Sequence, residues 1–387
     1  MLDRAEAMAD QIVRWRRHVH QHPELSFEEV ETARFVAETL QSFGIAVETG
    51  VGKTGVVGHL GQGSPCIALR ADMDALPVTE DTGLPFASQN EGVMHACGHD
   101  THVACLLGAA RLLSESPPDR GEVRLLFQPS EETPDDEGLS GAMRMIRAGA
   151  MEGVAAVVGL HIWAEVPAGK VAFSPGPQWA AAGKFTARIR GRGGHGALPH
   201  NTVDPIVLTA QAILALQTIV SRRLDPTIPG VVTVGSIHGG TRDNIIPEVV
   251  EICGTMRSLD EGVYAQIEQE VTRTLGIVRA LGGDFEIEFG PHFAVVLNDP
   301  ELTHYVHQVA VDLLGADAVL PADPIMTGED VGLLARQAPG CFIRLGGGFP
   351  GQPLRNLHDA HFDIDESALP IGAALLAETA RRYLEQG

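Results

Sequence analysis

The chain has 387 residues and a formal net charge of −22, with 44% apolar and 20% charged residues. This composition is typical of a folded globular protein, and the length is sufficient for two domains with a large core. The strong negative charge argues against nucleic acid or an anionic membrane surface as a partner.

The cysteines and the N-terminus predict a cytoplasmic protein. The five cysteines are odd in number and scattered, which is typical of a reducing compartment rather than a disulfide framework. The first residues, MLDRAEAMADQ, are charged and lack the apolar stretch of a signal peptide. No apolar run in the sequence reaches the length of a membrane span. We therefore expect neither a signal peptide nor a membrane anchor.

The N-terminal region predicts two helices and a hairpin. A first helix over about residues 2–20 should end before Pro23, because a residue preceding proline is disfavoured in the α region. Ser26 followed by Glu29 is a capping-box pattern for a second helix, which Gly44 closes. The segment IAVETGVGKTGVVGHLG then predicts a hairpin with glycine-rich turns.

Three apolar strands follow, and each leads to side chains that can bind metal or move protons. Because these strands are rich in Val, Leu and Ala on both faces, they predict a sheet covered by helices on both sides. In such α/β sheets the binding and catalytic residues lie just beyond the carboxyl ends of the strands. The side chains delivered there are Asp72 and Asp74, Glu131 and Glu132, and His161.

The segment Val93–Leu113 places a thiol and imidazoles ahead of a helix. Residues two apart in an extended chain point to the same side, so Cys97 and His99 can face one ion. Asp100 is a suitable N-cap for the apolar helix that follows. The alternative is a buried thiol beside a core histidine without function.

The pattern changes after residue 181. Strands and helices then follow in the order β-α-β-β-α-β, which is the order of a ferredoxin-like module. An α/β pattern resumes after Pro291. We therefore expect residues 182–292 to form an inserted domain, and residues 1–181 and 293–387 to form a discontinuous first domain.

The polar residues at the strand ends form a candidate metal site. Thiolate, imidazole and carboxylate together suit zinc, cobalt, nickel or manganese better than magnesium or calcium. Two ions need a bridging anion and unequal ligand sets, and the candidates are numerous enough for that. Side chains of adjacent residues in an extended chain point oppositely, so one glutamate can bind metal while its neighbour acts as general base. The candidates are Asp72, Asp74, Cys97, His99, Glu131, Glu132, His161 and His358.

The motif GRGGHG at Gly191–Gly196 leaves a second interpretation open. It matches the Gly-x-Gly-x-x-Gly pattern of dinucleotide sites, but two prolines follow before the helix and no acidic residue lies about 20 positions further on. We favour a flexible loop that carries His195 toward a cleft, with Asn244 as a nearby polar candidate. His200 and His238 are also nearby, with ordinary surface positions as their alternative. The histidines left without an assignment are His95, His102, His292 and His361.

Eight short motifs occur in order across nearly the whole chain: LRADMDALP, LPFAS, MHACGHD, FQPSEE, GLHIW, GGHGALPH, GTRDNIIPE and NLHDAHFDIDE. Together they resemble the hippurate hydrolase and auxin-conjugate hydrolase branch of the aminoacylase and carboxypeptidase-type metallopeptidases. The resemblance implies an α/β fold with a mixed-sheet, dinuclear metallohydrolase domain. It also implies an inserted ferredoxin-like α+β lid and dimerisation domain, and cleavage of N-acyl amino acids at the amide bond.

The resemblance further implies roles for residues of the first domain. Cys97 would bridge two divalent metal ions, which could be manganese, zinc, cobalt or nickel. Glu131 would be the general base, and Asp74 would orient a ligand histidine. The ligand set would be completed by His99, Glu132, His161 and His358.

In the inserted domain the resemblance implies substrate-binding residues. His195 and Asn244 would stabilise the tetrahedral oxyanion or hold the substrate, in their own subunit or across a dimer. Arg257, in GTMRS, would hold a substrate carboxylate.

Two positions depart from the family pattern. Ser130 replaces the usual alanine before the two glutamates, which leaves the pair itself intact. Asp72 stands where wider relatives have a metal-binding histidine, and we leave it out of the ligand set because this branch commonly lacks that histidine.

The sequence thus predicts a cytoplasmic, metal-dependent amidohydrolase that releases a carboxylic acid and a free amino acid from a small N-acyl amino acid, as a homodimer or higher homo-oligomer. The alternative on the same centre is a dipeptidase or other peptidase. Two further alternatives are a dinucleotide-dependent oxidoreductase and a metal-binding protein without turnover.

Overall fold

The computed structural model describes residues 1–386, which form two compact units. The first unit comprises Met1–Gln178, Leu297–Asp323 and the chain from Asp330 onward. The second comprises Trp179–Val296 and Pro324–Glu329, and it therefore contains the predicted insertion 182–292.

Helices account for much of the chain. Two short 3-10 helices lie at Pro199–Asn201 and Ala316–Ala318. The α-helices are α1 (Leu2–Ala7), α2 (Ala9–Gln21), α3 (Val30–Ser42), α4 (His99–Ser114), α5 (Gly141–Arg147), α6 (Pro205–Arg222), α7 (Glu261–Leu275), α8 (Ile277–Ala280), α9 (Pro300–Leu314), α10 (Val331–Leu334) and α11 (Ala368–Gln386).

The strands follow the apolar segments of the sequence. They are β1 (Ala46–Val51), β2 (Gly55–Gln62), β3 (Cys66–Asp72), β4 (Gly121–Gln128), β5 (Val154–Pro167), β6 (Val171–Ala172), β7 (Gly176–Trp179), β8 (Ala181–Arg190), β9 (Gly194–His195), β10 (Gly230–Gly239), β11 (Ile245–Ile246), β12 (Val249–Ser258), β13 (Asp284–Phe293), β14 (Val296–Asn298), β15 (Val319–Leu320) and β16 (Gly340–Gly348).

The first unit is built on a mixed sheet of eight strands in the order β1-β2-β4-β3-β5-β16-β6-β15. The predicted hairpin is present, because β1 and β2 pair antiparallel. The central strands β4, β3, β5 and β16 run parallel to one another, so their carboxyl ends lie at one edge of the sheet. Every residue of β3 is buried, as expected for a strand covered on both faces.

Helix α4 lies in the core of the first unit and packs against α2, α3 and α11. The prediction of Asp100 as its N-cap is wrong: α4 begins at His99, after Gly98, and no side chain caps it. The carboxylate of Asp100 instead accepts hydrogen bonds from Arg16 at 2.7 Å and from the His20 ring at 2.8 Å. Since all three side chains are fully buried, the ion pair takes precedence over capping.

The second unit contains a four-stranded antiparallel sheet in the order β10-β12-β8-β13. With α6 and α7 it gives the predicted succession β-α-β-β-α-β. Among the described helices, only α6 is long and apolar enough to cross a membrane by length and composition, and 33% of it is buried. Its residues Leu208, Ala212, Leu216 and Ile219 belong to the core of this unit, so we interpret α6 as a packing helix.

The close contact between α11 and α4 yields a stability prediction. A Cβ atom added at Gly372 would lie 2.6 Å from Sγ of Cys105 and 2.8 Å from Cδ2 of Leu345. We expect Gly372→Ala to lower the free energy of unfolding by about 1 kcal/mol, because overpacking a core costs roughly 1–3 kcal/mol and exceeds the helix-propensity gain of alanine. Urea denaturation followed by near-ultraviolet circular dichroism would measure it.

Gly235→Ala provides the control, since a Cβ there meets no atom within 4 Å. That variant should unfold at nearly the wild-type urea concentration. A Gly372→Ala protein more stable than wild type would contradict the prediction, because it would show that α11 and α4 can move apart to accommodate the methyl group without loss of stability.

Candidate metal centre

The carboxyl ends of β4, β3 and β5 bring the predicted ligands together in the first unit. Asp74 lies two residues beyond β3, and His161 lies within β5. The glutamates at 131 and 132 follow the end of β4, and His99 opens α4. Neighbouring parallel strands thus deliver side chains from four distant parts of the sequence to one edge of the sheet.

Two groups of potential metal ligands share the thiol of Cys97. In the first group, the ligand atoms of Cys97, His99 and His161 all lie within 4.8 Å of one another. In the second, those of Cys97, Glu132 and His358 meet the same limit. Sγ of Cys97 lies 3.5 Å from Nε2 of His161, and Nε2 of His358 lies 3.3 Å from the Glu132 carboxylate.

Hydrogen bonds orient two of the imidazoles. Nδ1 of His99 donates to the carbonyl oxygen of Asp74 at 2.9 Å, and Nδ1 of His161 donates to that of Ile162 at 2.7 Å. In both rings Nε2 is therefore the atom available to bind a metal ion. Nε2 of His99 is buried and has no hydrogen-bond partner among residues 1–386. A metal ion is the partner that suits such a nitrogen beside a thiol.

The charges around Cys97 and His99 favour a cation. Burial, followed by the charges of Glu132 and Glu131, raises the pKa of the Cys97 thiol well above its usual value. Burial alone would lower the pKa of His99, but Asp72 and Asp74 outweigh it and raise the pKa to about 10. The excess negative charge at this edge of the sheet is what divalent ions would neutralise, so the donor set fits the implied metals.

Gly98 allows the thiol and the imidazole to sit on either side of a tight turn. Its φ is +82°, and a Cβ atom there would lie 2.3 Å from Cγ2 of Ile162. Because any other residue would meet both strain and a clash, glycine is required between Cys97 and His99.

The carboxylate of Asp74 is the centre of a hydrogen-bond network. Its oxygens accept the backbone N–H groups of Glu131 and Glu132, each at 3.0 Å. They also accept the hydroxyl of Ser26 at 2.7 Å and lie 3.2 Å from Nδ1 of His99. One buried carboxylate therefore contacts both glutamates through the backbone and one candidate ligand through its ring.

The capping-box prediction for α3 is wrong, and its two residues belong to this network. Helix α3 begins at Val30, and the N–H groups of Glu31 and Thr32 in its first turn donate to the carboxylate of Glu24, at 3.1 and 2.8 Å, and not to Ser26. Ser26 donates to Asp74, while Glu29 accepts the backbone N–H groups of Phe27 and Ser130. Burial, followed by the charge of Asp74, raises the pKa of Glu29 to about 7. Sequence reasoning missed Ser26 and Glu29 because their partners lie 48 and 101 positions away.

The structure also corrects the argument that adjacent glutamates point in opposite directions. Glu131 and Glu132 lie outside β4, in a segment without regular structure, so strand alternation does not apply. Oxygens of both carboxylates and a ring nitrogen of His99 lie within 4.8 Å of one another. The two side chains converge, and only Glu132 also belongs to a ligand group with Cys97.

Asp72 contacts other side chains near the site. Arg70 donates to it at 2.7 Å, and Nδ1 of His102 donates to its other oxygen. Nε2 of His102 accepts the backbone N–H of Ile162 at 2.8 Å. The carboxylate of Asp72 and both ring nitrogens of His102 are thus engaged within the protein, and ligand atoms of Asp72, His99 and His102 also lie within 4.8 Å of one another.

The predicted residues of the insertion lie in the second unit. Gly194 and His195 form β9, which pairs with β11, the strand that begins directly after Asn244. The N–H of Gly196 donates to the carbonyl of Asn244 at 2.8 Å, so the segments carrying His195 and Asn244 are adjacent. The dinucleotide alternative loses support, because α6 begins only at Pro205 and is capped by its own Asp204.

The remaining histidines do not join the ligand groups found among residues 1–386. His95 is buried, and neither ring nitrogen has a hydrogen-bond partner in that range. His292 stacks on Tyr264 with a centroid distance of 4.7 Å, and His361 pairs with Asp359 on the surface. His200 and His238 are exposed, as expected for ordinary surface residues.

The chain is similar in sequence to several hydrolases. A thermostable carboxypeptidase of Saccharolobus solfataricus is 43% identical, covering 95% of each chain. An IAA-amino acid hydrolase of Arabidopsis thaliana is 40% identical, covering 97% of this chain and 86% of its own. An N-acyl-L-amino acid amidohydrolase of Geobacillus stearothermophilus is 46% identical, covering 75% of this chain and 78% of its own.

A crystal structure from Bacillus subtilis, described as a dinuclear metal binding peptidase from the M20 family, superposes with a TM-score of 0.84. It is 33% identical and covers 98% of this chain and 99% of its own. The mixed α/β fold and the suitability for divalent metal ions agree with this likeness. The model of peptidase family M20/M25/M40 matches residues 68–382. The chain belongs to this family, and it is a metal-dependent hydrolase of amide bonds.

Proposed function

We propose that the protein hydrolyses N-acyl amino acids at the amide bond and releases a carboxylic acid and a free amino acid. The observation that carries the proposal is the pair of ligand groups that share Cys97, with the carboxylate of Glu131 beside them. In this proposal up to two divalent ions would be held by Cys97, which is common to both groups, and by His99, Glu132, His161 and His358.

Glu131 is the proposed general base. When bound, the two ions would activate water and stabilise negative charge on the carbonyl oxygen. The Glu131 carboxylate accepts a proton from the attacking water and then gives it to the nitrogen of the leaving amine. Asp74 holds the ring of His99 and the backbone of both glutamates, so that the base and the ligands keep their positions.

The second unit supplies the proposed substrate-binding residues. His195 and Asn244 hold the substrate or donate to the tetrahedral oxyanion. Arg257 is half-buried, and burial lowers its pKa. Such a guanidinium suits the carboxylate of a substrate.

The competing function is that of a carboxypeptidase or dipeptidase on the same centre, because the Saccharolobus relatives carry the carboxypeptidase name. In both reactions the leaving group is an amino acid with a free α-carboxylate. The difference lies in the group on the other side of the amide, which is a simple acyl group or an amino acid. The names of the amidohydrolase relatives favour the acyl group.

We further propose a cytoplasmic homodimer. All five cysteines are free, which suits a reducing compartment. The second unit has an edge strand, β10, and exposed apolar side chains on α6 and β10, which are typical of a surface that pairs with another chain. These side chains are Ile206, Val207, Leu214, Val220 and Ile237.

The proposal is tested by refilling metal-stripped protein with manganese, zinc, cobalt or nickel and assaying acetyl, benzoyl and indole-acetyl amino acids beside dipeptides. We expect up to two ions per chain and faster hydrolysis of at least one acyl amino acid than of any dipeptide. Bound metal should also protect Cys97 from alkylation, because a coordinated thiolate is screened. Protein that binds no metal and leaves Cys97 freely alkylated would refute the proposal, and a preference for dipeptides would establish the peptidase instead.

The two adjacent glutamates should respond differently to substitution. Glu131→Gln removes the base while keeping shape, so bound metal should stay near wild type while kcat falls by roughly 10²–10⁴-fold. Glu132→Gln replaces an anionic ligand by a neutral amide, so it should weaken one metal site, and excess metal should partly restore activity. Elemental analysis and steady-state kinetics would measure both. The reverse pattern of metal loss would exchange the two roles.

A further prediction concerns the second unit. We expect His195→Ala to lower turnover strongly without changing metal content, because the imidazole contacts the substrate and not the ions. If His195 serves a neighbouring subunit, mixing this variant with Glu131→Gln should restore part of the activity in mixed dimers. The matched control is His200→Ala, which removes an exposed histidine nearby and should have nearly wild-type kinetics. A His195→Ala enzyme as active as this control would show that the assignment is wrong.

A further inference from the structure

Four residues other than glycine have a positive φ among the described residues: Phe27, Lys53, Ser130 and His358. Their φ values of 61°, 87°, 44° and 63° lie in a region that side chains with a Cβ rarely adopt. Such conformations persist only where the surrounding structure holds them, and they cluster at functional sites. The contacts of each residue therefore show what holds it.

Two of the four are held by the same atom. Oε1 of Glu29 accepts the N–H of Phe27 at 3.0 Å and the N–H of Ser130 at 2.7 Å. The other oxygen of Glu29 accepts the hydroxyl of Thr54, the residue that follows Lys53. Glu29 is fully buried, so these hydrogen bonds are shielded from water. One carboxylate thus links three segments, each of which contains a left-handed residue.

The hydrogen bond between Ser130 and Glu29 lies directly before the two glutamates of the candidate centre. Glu131 and Glu132 follow directly, and their N–H groups bond to the two oxygens of Asp74. Three consecutive N–H groups, at residues 130 to 132, are therefore each bound by a buried carboxylate. Asp74 binds the backbone of the two glutamates. Glu29 binds the backbone of Ser130, the turn residue that sets the direction of the chain between β4 and the glutamates.

We propose that Glu29 is a positioning residue that holds Ser130 in its left-handed conformation, so that the carboxylates of Glu131 and Glu132 converge on the metal centre. The inference rests on the roles proposed above for the two glutamates. Glu29 is not proposed to contact the substrate. It acts through the backbone N–H of Ser130, which is fully buried and lies 101 positions away.

The first test compares Glu29→Leu with Glu29→Gln. Leucine removes the acceptor, so Ser130 should relax, the Glu132 site should lose metal, and kcat should fall by roughly 10–100-fold. Glutamine keeps an oxygen that can accept both N–H groups and should therefore retain most of the metal and the activity. Metal content and the visible spectrum of cobalt-substituted protein provide readouts that are independent of turnover.

The decisive test adds glycine at the two strained positions. Glycine adopts a positive φ without cost, so Ser130→Gly should restore metal binding and activity in the Glu29→Leu background. Phe27→Gly in the same background is the matched control. It relieves backbone strain at a residue that is not adjacent to Glu131 and Glu132, so it should restore neither metal binding nor activity. Each glycine variant alone gives the baseline, since Ser130→Gly also loses the hydroxyl bond to Thr133.

The outcomes separate this inference from the proposed function. If Glu29→Leu keeps two ions and wild-type turnover, or if the two glycines rescue equally, Glu29 does not position the glutamates through Ser130. If Glu29→Leu fails to fold, Glu29→Asp serves in its place, because its shorter side chain cannot reach both N–H groups. Wild-type protein that neither binds metal nor hydrolyses acyl amino acids would instead refute the proposed function.

Discussion

The buried carboxylate of Asp74 is the constraint on which the candidate centre depends. It accepts two backbone N–H groups and one hydroxyl and contacts the ring of His99. Burial would raise its pKa, but the hydrogen bond and charge of His99 and the other donors lower it, so the group stays ionised. A buried charge is tolerable only with such donors, and each donor is fixed in return. The segments carrying Ser26, His99 and the two glutamates are therefore positioned together.

A second buried network extends from the same end of β3. Arg70 is fully buried and bonds to Asp72 and Asp330 at 2.7 and 3.0 Å. Asp72 in turn fixes the ring of His102, whose other nitrogen accepts the N–H of Ile162. Since the carbonyl of Ile162 orients His161, a chain of hydrogen bonds runs from a buried ion pair to a candidate metal ligand. Asp74 thus orients the ring of His99, while Asp72 reaches the surroundings of His161 through His102 and also lies 3.6 Å from Nε2 of His99.

The sequence was sufficient for the features that depend on local pattern. The apolar strands β3, β4 and β5, the hairpin and the β-α-β-β-α-β order follow from hydrophobic periodicity and turn residues. The ligand set came from motif resemblance, and the structure brings all five proposed ligands into the two groups around Cys97. What could not be predicted depends on long-range partners. Asp100 and Ser26 look like helix caps from their neighbours, yet their side chains bond to Arg16 and Asp74.

The positions where local rules fail are concentrated near the candidate centre. Ser130 and His358 have left-handed backbones, one directly before the two glutamates and the other at a proposed ligand. No local signal in a serine or a histidine requires that conformation, which glycine would adopt without strain. It is imposed by distant groups, since the N–H of Ser130 bonds to Glu29 and that of His358 to the carbonyl of Ala96. Such backbone strain lowers stability. It is retained at positions where function requires the side chain to point in a particular direction.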